Sequence, residues 1–516
     1  MDRYVLSIDL GTQGIRSIIF NQFGKLIDKE KVPFDPPYFS LEPGYAEQHP
    51  EFYFQCMAQS TLNLKKRQEE LWKSIEAVSI TTIRDVNVFV SKKGEVLRPA
   101  ILWLDHRLAN CRESLPIYSD IIFKAVGMNE TIKNVRKKTT VNWIRENEPE
   151  VWKDTYKCLM ISGYLNYRLT NKYVDSVASQ IGHMPFDYKY HKWYSEYHFK
   201  WSVFNNDRSK LYDLVDSGTV MGNVTKEASN LTGIAEGTPV IASGSDKGCE
   251  TLGTGCFNSK VASLSFGTTA TIQTTTNFYC EPIKFMPAYP GVVKHSYNPE
   301  LEVFRGYWLI SWFKKEFAAK EEIEALKLGI SAEEILNRRL QEIPPGSEGL
   351  LLQPFWTPGL RQPEARGSMI GFNDCHTRIH IYKAIIEGIN YSLMDGMKKI
   401  EAATGVKVEK LTVSGGGSQS EEICQITSDM FNLPVYKPET YETSGLGAAI
   451  SSFVGLGVYK DYKTAVEAMV HYSKVYYPEK KHAEIYKELY EKAYRKIYGS
   501  LKDIYIKIQE ISLKNR

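Results

Sequence analysis

The residues most suited to catalysis lie in the segment 241–272, where an aspartate and a lysine precede a glycine-threonine turn. Asp246 and Lys247 stand in a glycine-framed turn, and a later strand-like run breaks at Gly267-Thr268-Thr269. Glycine tolerates a tight backbone with inward amide groups, and threonine adds a hydroxyl donor, so such a turn can grip a phosphate. The segment therefore combines a candidate general base with a candidate phosphate-binding turn.

The start of the chain repeats this pattern. Asp9 ends an apolar strand-like run, Gly11-Thr12-Gln13 forms the turn, and Arg16 follows on the next run. Read alone, the segment is also consistent with a simple hairpin beside an incidental aspartate. Two such turns about 250 residues apart predict two similar halves that close on one polyphosphate. Asp246 would then sit at the mouth of the cleft.

A third candidate is Ser414 followed by Gly415, Gly416 and Gly417, between a predicted strand and a predicted helix. Glycines allow a ligand to approach the backbone closely, and a helix N-terminus favours anions. The segment is not a Walker A loop, because no Gly-Lys-Ser/Thr follows it, and no GxGxxG ends any predicted strand.

Other polar residues keep two interpretations each. Asp246 could be a general base, a helix N-cap or a buried hydrogen-bonding residue. Arg84 and Asp85 fall between two predicted strands, where they could bind hydroxyl groups in a cleft or form a surface pair of little effect. Trp103 and Asp105 fit a sugar-facing tryptophan with polar neighbours, or a core tryptophan beside a solvated loop.

Composition narrows the functional class. The chain has 516 residues, of which 43% are hydrophobic and 24% charged, values typical of a soluble globular protein with several domains. A net charge of +3 gives no reason to expect a nucleic-acid or membrane partner. No signal peptide is predicted, and eight scattered cysteines without a CxxC pair indicate free thiols in a reducing cytoplasm.

Strand-like and helical runs alternate along the chain. The runs 4–8, 15–20 and 26–32 predict an opening β-meander, and strands restart after Phe266. A helical stripe follows at 379–400. The polar, tyrosine-rich residues from Lys460 predict a solvated helical cap. The pattern indicates an α/β protein.

The chain resembles the FGGY carbohydrate kinases, within the actin–hexokinase superfamily, through an ordered series of motifs over about residues 4–460. These are IDLGTQGIRS at 8–17, PGYAEQHP at 43–50, GEVLRPAILWLDHR at 94–107, RLTNKYVDSVAS at 168–179, GSDKGCETLGTG at 244–255, LSFGTTATI at 264–272, RGSMIGF at 366–372, HIYKAIIEG at 380–388, SGGGSQSEEICQITSDMFNLPV at 414–435 and SGLGAAI at 444–450.

The resemblance implies two ribonuclease-H-like α/β domains, each with a five-stranded mixed sheet, and an active-site cleft between them. We expect an N-terminal domain at 1–257 with the sugar-binding side and the first phosphate loop. An ATP-binding C-terminal domain is expected at 258–460, and a helical extension at 461–516.

The resemblance also implies roles for individual residues. Asp246 would be the catalytic base, and Asp9 would hold Mg²⁺, through water. The sugar would contact Asp246 and the set Arg84, Asp85, Trp103, Asp105 and Lys247. ATP and its phosphates would contact Gly11, Thr12, Gln13, Arg16, Gly267, Thr268, Thr269, Gly415, Gly416, Gly417 and Ser420.

The substrate side of the resemblance is mixed. Arg84-Asp85 is similar to the Arg-Glu pair of glycerol kinases, but Val135 and Lys247 replace their tyrosine and glutamine. Trp103 and its neighbours look like the pentulose-kinase loop, although the Gln-Met-His segment of xylulokinases is absent. Lys247 could favour an acidic or phosphorylated substrate, or merely steer Asp246.

These features predict an ATP-dependent, xylulokinase-like enzyme for a short open-chain ketose or polyol. A glycerol kinase is the alternative enzyme. A non-catalytic ATP- or sugar-binding regulator and an actin-like polymer are alternatives of other classes. A small sugar or polyol is the expected partner, and a homodimer is one option for the assembly.

Overall fold

A computed structural model of the chain describes residues 2–357, 359 and 362–514. In chain order, its strands are β1 (Tyr4–Leu10), β2 (Gly14–Asn21), β3 (Leu26–Pro33), β4 (Glu47–Gln48), β5 (Ile75–Thr82), β6 (Asn87–Val90), β7 (Ala100–Ile101), β8 (Lys157–Met160), β9 (Val174–Ser176), β10 (Phe186–Asp187), β11 (Lys192–Trp193), β12 (Asp213–Val215), β13 (Val220–Asn223), β14 (Pro239–Ile241), β15 (Val261–Phe266), β16 (Ala270–Gln273), β17 (Tyr289–Pro290), β18 (Tyr297–Asn298), β19 (Glu300–Val303), β20 (Leu351–Gln353), β21 (Ser368–Ile370), β22 (Lys410–Ser414), β23 (Val435–Pro438) and β24 (Tyr472–Tyr476).

The helices complete the two halves. They are α1 (Pro50–Arg67), α2 (Glu69–Trp72), α3 (Ile117–Ala125), α4 (Asn129–Lys138), α5 (Thr140–Asn147), α6 (Pro149–Asp154), α7 (Ile161–Thr170), α8 (Trp201–Phe204), α9 (Lys226–Thr232), α10 (Asp246–Gly253), α11 (Trp308–Phe317), α12 (Ala319–Leu328), α13 (Ala332–Arg338), α14 (Arg378–Thr404), α15 (Glu421–Phe431), α16 (Thr443–Gly455), α17 (Tyr462–Met469), α18 (Lys480–Leu489) and α19 (Arg495–Lys514). None of the helices in the described part of the chain combines the length and apolar character that a bilayer crossing needs.

Two six-stranded mixed sheets share one topology. The first has the order β13-β14-β5-β1-β2-β3, and the second has the order β19-β16-β15-β22-β23-β24. In each, the hairpin that carries a Gly-Thr turn lies antiparallel (β1–β2 and β15–β16), while its first strand pairs in parallel with a later strand (β5 and β22). The prediction of two similar α/β halves is confirmed.

The resemblance implied five strands in each sheet, and the structure corrects that number. The sixth strands are β13 and β24, which pair antiparallel with β14 and β23 at one edge of each sheet. They cover backbone groups that an outer parallel strand would otherwise leave unpaired.

A helix of the second half packs against the first sheet. α16 lies on β1 and β5 and runs beside α10, in a buried cluster that includes Val5, Cys249 and Leu446. Its glycines allow this close approach, since a Cβ at Gly447 would lie only 2.0 Å from the carbonyl oxygen of Cys249. The first residue of α10 is Asp246, so this packing fixes where that residue lies.

The C-terminal segment is more deeply integrated than the predicted solvated cap. α17 buries its apolar face in the same cluster as α16, and β24 forms an edge of the second sheet. Tyr486, Tyr490 and Tyr494 belong to the core of the second half. The tyrosines that made the segment look polar are therefore buried side chains with polar tips.

Candidate active site

The first glycine turn, residues 11–13, joins β1 to β2 and places two charged residues opposite each other. Asp9 pairs with Arg16 in the strand register, and Arg16 Nη1 lies 3.0 Å from Asp9 Oδ2. Burial raises the pKa of Asp9 to about 6, against the opposing effect of Arg16. The negative charge of Asp246 raises it further, so the two carboxylates lie in one electrostatic neighbourhood.

The second and third glycine turns, residues 267–269 and 415–417, meet because β15 and β22 are neighbours. A Cβ at Gly415 would lie 2.8 Å from the carbonyl carbon of Phe266, and the residue has φ +79°. The backbone N–H groups of Thr268, Gly416 and Gly417 have no acceptor among the described residues. Unpaired amide donors in adjacent turns are suited to phosphate oxygens.

Ser420 lies beyond the third turn, at the start of α15. Its hydroxyl accepts a hydrogen bond from the Ile423 N–H at 3.2 Å and donates to Glu422 at 2.7 Å. These contacts are those of a helix N-cap. They favour a structural role for Ser420 in place of the predicted nucleotide contact.

Asp246 occupies the first position of α10, and its Oδ1 accepts a hydrogen bond from the Lys247 N–H at 2.7 Å. Ser245 fills the N-cap position and accepts a hydrogen bond from the Gly248 N–H at 3.2 Å. Asp246 Oδ1 lies 3.7 Å from Arg84 Nε, and the side chain is 27% exposed. Burial raises its pKa, and the charges of Arg84 and Lys247 partly offset this effect.

Lys247 links the two halves. Its Nζ lies 2.7 Å from Glu250 Oε2 and donates to Ser265 Oγ at 2.6 Å, which ties α10 to β15. The side chain is thus held by protein groups on both sides. These contacts favour the interpretation in which Lys247 steers Asp246 over the one in which it binds an acidic substrate.

Arg84 spans the cleft between the halves. It follows β5 and donates from Nη1 and Nη2 to both carboxylate oxygens of Glu300 on β19, at 3.0–3.1 Å. Its guanidinium also lies 5.2 Å from the centre of the Tyr289 ring. No motif surrounds Glu300 in the sequence, and only the fold brings it to Arg84.

Asp85 points to a different partner. Its Oδ2 lies 2.6 Å from His183 Nδ1, and its Oδ1 accepts a hydrogen bond from the His183 N–H at 2.8 Å. Arg84 and Asp85 therefore do not form the surface pair that was one interpretation of the sequence, because each has a partner of its own. His183 was also missed, since it stands about 100 residues from Asp85 without a recognisable spacing.

Trp103 and Asp105 have different environments. Trp103 is 49% exposed, and its Nε1 donates to Thr12 Oγ1 at 3.3 Å, so it faces the first glycine turn and is not a core residue. The side chain of Asp105 is only 2% exposed and accepts hydrogen bonds from Arg107 Nη2 at 2.8 Å and from the Ala46 N–H at 2.6 Å. These contacts favour a structural role for Asp105 in place of the predicted sugar contact.

Comparison with known proteins places this arrangement in a family. Models for the FGGY family of carbohydrate kinases match the chain with their N-terminal domain at residues 4–253 and their C-terminal domain at residues 262–456. The chain belongs to the FGGY family of carbohydrate kinases. As an FGGY kinase, it is a phosphotransferase with an alcohol group as acceptor.

This FGGY kinase is similar to relatives along nearly its whole length. It is 28% identical to the xylulose kinase of Lactococcus lactis, over 99% of this chain and 98% of the relative. It is 26% identical to the gluconokinase of Bacillus subtilis, over 95% and 94%. The solved xylulose kinase of Lactobacillus acidophilus has the same fold, with a TM-score of 0.82 at 22% identity over 98% and 100%.

Proposed function

We propose that the protein transfers the γ-phosphate of ATP to a hydroxyl group of a short open-chain ketose or polyol, with Asp246 as the base. The observation that carries this proposal is the position of Asp246. Ser245 holds the N-cap position of α10, and the Asp246 side chain is partly exposed with its Oδ1 within 3.7 Å of Arg84. Its Oδ2 has no hydrogen-bond partner among the described residues, whereas Oδ1 accepts the Lys247 N–H. Glycerol kinase activity is the alternative.

The glycine turns support ATP as the donor. The unpaired amide groups of Thr268, Gly416 and Gly417 offer donors to phosphate oxygens, and a Cβ at Gly416 would meet only open space. We therefore assign the nucleotide to the second and third turns, and the end of its phosphate chain to the first turn.

Asp9 is suited to Mg²⁺ held together with phosphate. Among the described residues, no group of three acidic, histidine or cysteine side chains could hold a metal ion by itself. Mg²⁺ commonly keeps several waters and binds one or two carboxylates plus substrate phosphates, which a single buried Asp9 fits. Bound there, the ion would neutralise charge on the phosphates.

In this mechanism Asp246 accepts the proton of the acceptor hydroxyl as that oxygen attacks the γ-phosphorus, and the bond to the bridging oxygen breaks so that ADP leaves. Arg84 and Lys247 hold the carboxylate in its ionised form and orient it. Trp103 offers a flat apolar face to the carbon chain of the acceptor, beside the first glycine turn. Closure of the two halves would keep water from the phosphate.

The experiment is a coupled ADP-release assay with Mg-ATP against glycerol, erythritol, xylulose, ribulose, a heptulose and sugar acids. We expect turnover of a ketose or polyol with a KM between micromolar and millimolar values. Preference for glycerol would establish the alternative enzyme. Binding of ATP without turnover of any acceptor would contradict the proposal and favour a non-catalytic regulator.

A further inference from the structure

The pair formed by Asp85 and His183 holds an imidazole beside the residue that follows Arg84. Both carboxylate oxygens of Asp85 contact His183, through Nδ1 and through the backbone N–H. The His183 side chain is 27% exposed, and its Nε2 has no partner in the described part of the chain. At this position the group available to a ligand is therefore the imidazole of His183 and not the carboxylate of Asp85.

The backbone around the pair fixes the ring. Asp85 has φ +56°, and Gly182 approaches it so closely that a Cβ there would lie 2.4 Å from Asp85 Oδ1. The Tyr188 hydroxyl donates to the Gly182 carbonyl at 3.1 Å and accepts from the Gly182 N–H at 3.2 Å. An aspartate in the left-handed backbone region costs conformational free energy, and here it is packed against a position that only glycine can occupy. Such strained residues cluster at functional sites.

The imidazole is connected to the residues around Asp246 through the chain and through ring contacts. Arg84 precedes Asp85 in the chain and lies 3.7 Å from Asp246. Its guanidinium packs on Tyr289, whose ring contacts Tyr188 with centroids 5.8 Å apart. A series of contacts thus joins Asp246 to the loop that carries His183.

Two charged residues, from different parts of the chain, change the pKa of His183. Burial lowers its pKa, but Asp85 more than offsets this, so the net pKa is raised. Lys138, at the end of α4, lowers the pKa of both His183 and Asp85. Lys138 itself is exposed and has no ion pair within the described ranges.

We propose that His183, oriented by Asp85, binds the sugar acceptor through Nε2, at a hydroxyl or carbonyl oxygen away from the phosphorylated one. The assignment rests on the proposed function. It makes His183 a specificity-determining residue of the acceptor site and Asp85 a positioning residue. With Nδ1–H donated to Asp85, Nε2 accepts from a hydroxyl when the imidazole is neutral, and donates to a hydroxyl or carbonyl oxygen when the imidazole is charged.

The test compares KM and kcat of the full-length enzyme with its best acceptor. His183→Ala should raise the KM of the acceptor by about 10- to 100-fold, the effect of losing one hydrogen bond to a partly charged group, and leave the KM of ATP unchanged. His183→Gln should recover part of the loss, because its amide can replace Nε2. His471→Ala removes a histidine bonded to the Phe23 carbonyl outside this cluster and should change neither KM.

Three results would overturn the assignment. An active His183→Ala enzyme with an unchanged acceptor KM would remove His183 from the acceptor site and leave the proposed function intact. Equal changes in both KM values, together with a lower melting temperature, would assign His183 a structural role. Absence of turnover by the unaltered enzyme would instead overturn the proposed function, and this assignment with it.

Discussion

At the scale of single residues, the chain concentrates opposing charges around one carboxylate. Burial works against ionisation of Asp246, while Arg84 and Lys247 favour it. A base needs this balance, since it must be ionised at working pH yet basic enough to accept a proton. The motif around Asp246 predicts a base at this position, and that role stays a prediction. The partners of Arg84 and Asp85 could not be predicted, because Glu300 and His183 come from distant segments and carry no local pattern.

The pH dependence of the reaction should report this balance. Because the pKa of Asp246 is raised above its ordinary 3.8, kcat/KM should fall on acidification at a higher pH than for an ordinary aspartate. Arg84→Gln removes a charge that lowers this pKa, so the acidic limb should move to still higher pH. We would measure kcat/KM from pH 4 to 9, with thermal unfolding as a check on folding at each pH.

An acidic limb that stays in place in Arg84→Gln would contradict this account of the charges. An enzyme whose activity is flat down to about pH 4 would argue that no group with a raised pKa takes the proton.

At the scale of elements, the glycines of α10 and α16 set the position of the base. α10 begins at Asp246, and the Ser444 hydroxyl of α16 donates to the Asp246 carbonyl at 3.3 Å. The segment 444–450 contributed only a family motif to the sequence analysis, and it did not predict that α16 packs on the sheet of the other half. The packing partner of α16 depends on how its small residues fit those of α10, which is distant in the sequence. The periodicity of hydrophobic residues does not encode this fit.

Gly447→Ala should therefore disturb both stability and catalysis. The new Cβ would lie 2.0 Å from the Cys249 carbonyl oxygen, so α10 and α16 must move apart. Overpacking of this kind typically costs about 1–3 kcal/mol, and we expect a lower melting temperature and a lower kcat. Thermal unfolding and the coupled assay measure the two effects.

Gly499→Ala is the matched control, since that glycine lies in α19 with open space around its Cβ position. It should be neutral or slightly stabilising, because alanine is the better helix former. A Gly447→Ala enzyme with wild-type melting temperature and kcat would show that the helix contact does not position the base.

At the scale of the whole molecule, the two sheets meet at the cleft through a few polar contacts. Arg84 reaches Glu300, and Lys247 reaches Ser265, so each bond joins the first half to the second. The repeated Gly-Thr turn was enough to predict two similar halves. The packing of α16, with α17 beside it, against the first sheet was not predictable. It creates one apolar cluster that residues on both sides of the proposed boundary at 257/258 share, although each half also keeps a core of its own.

The central claim is that Asp246 takes the proton while the glycine turns hold the nucleotide. Asp246→Asn keeps the size of the side chain and removes its basicity. Turnover of the best acceptor should fall by about 10²- to 10⁴-fold, whereas ADP affinity measured by calorimetry should stay unchanged. Asp154→Asn, at an exposed aspartate in α6, should alter neither value.

We would make this measurement first, with turnover and ADP binding determined on the same preparations. Loss of turnover with ADP binding retained is the result that the account predicts. Near-normal kinase activity in Asp246→Asn would contradict it, because another group would then have to accept the proton of the sugar hydroxyl.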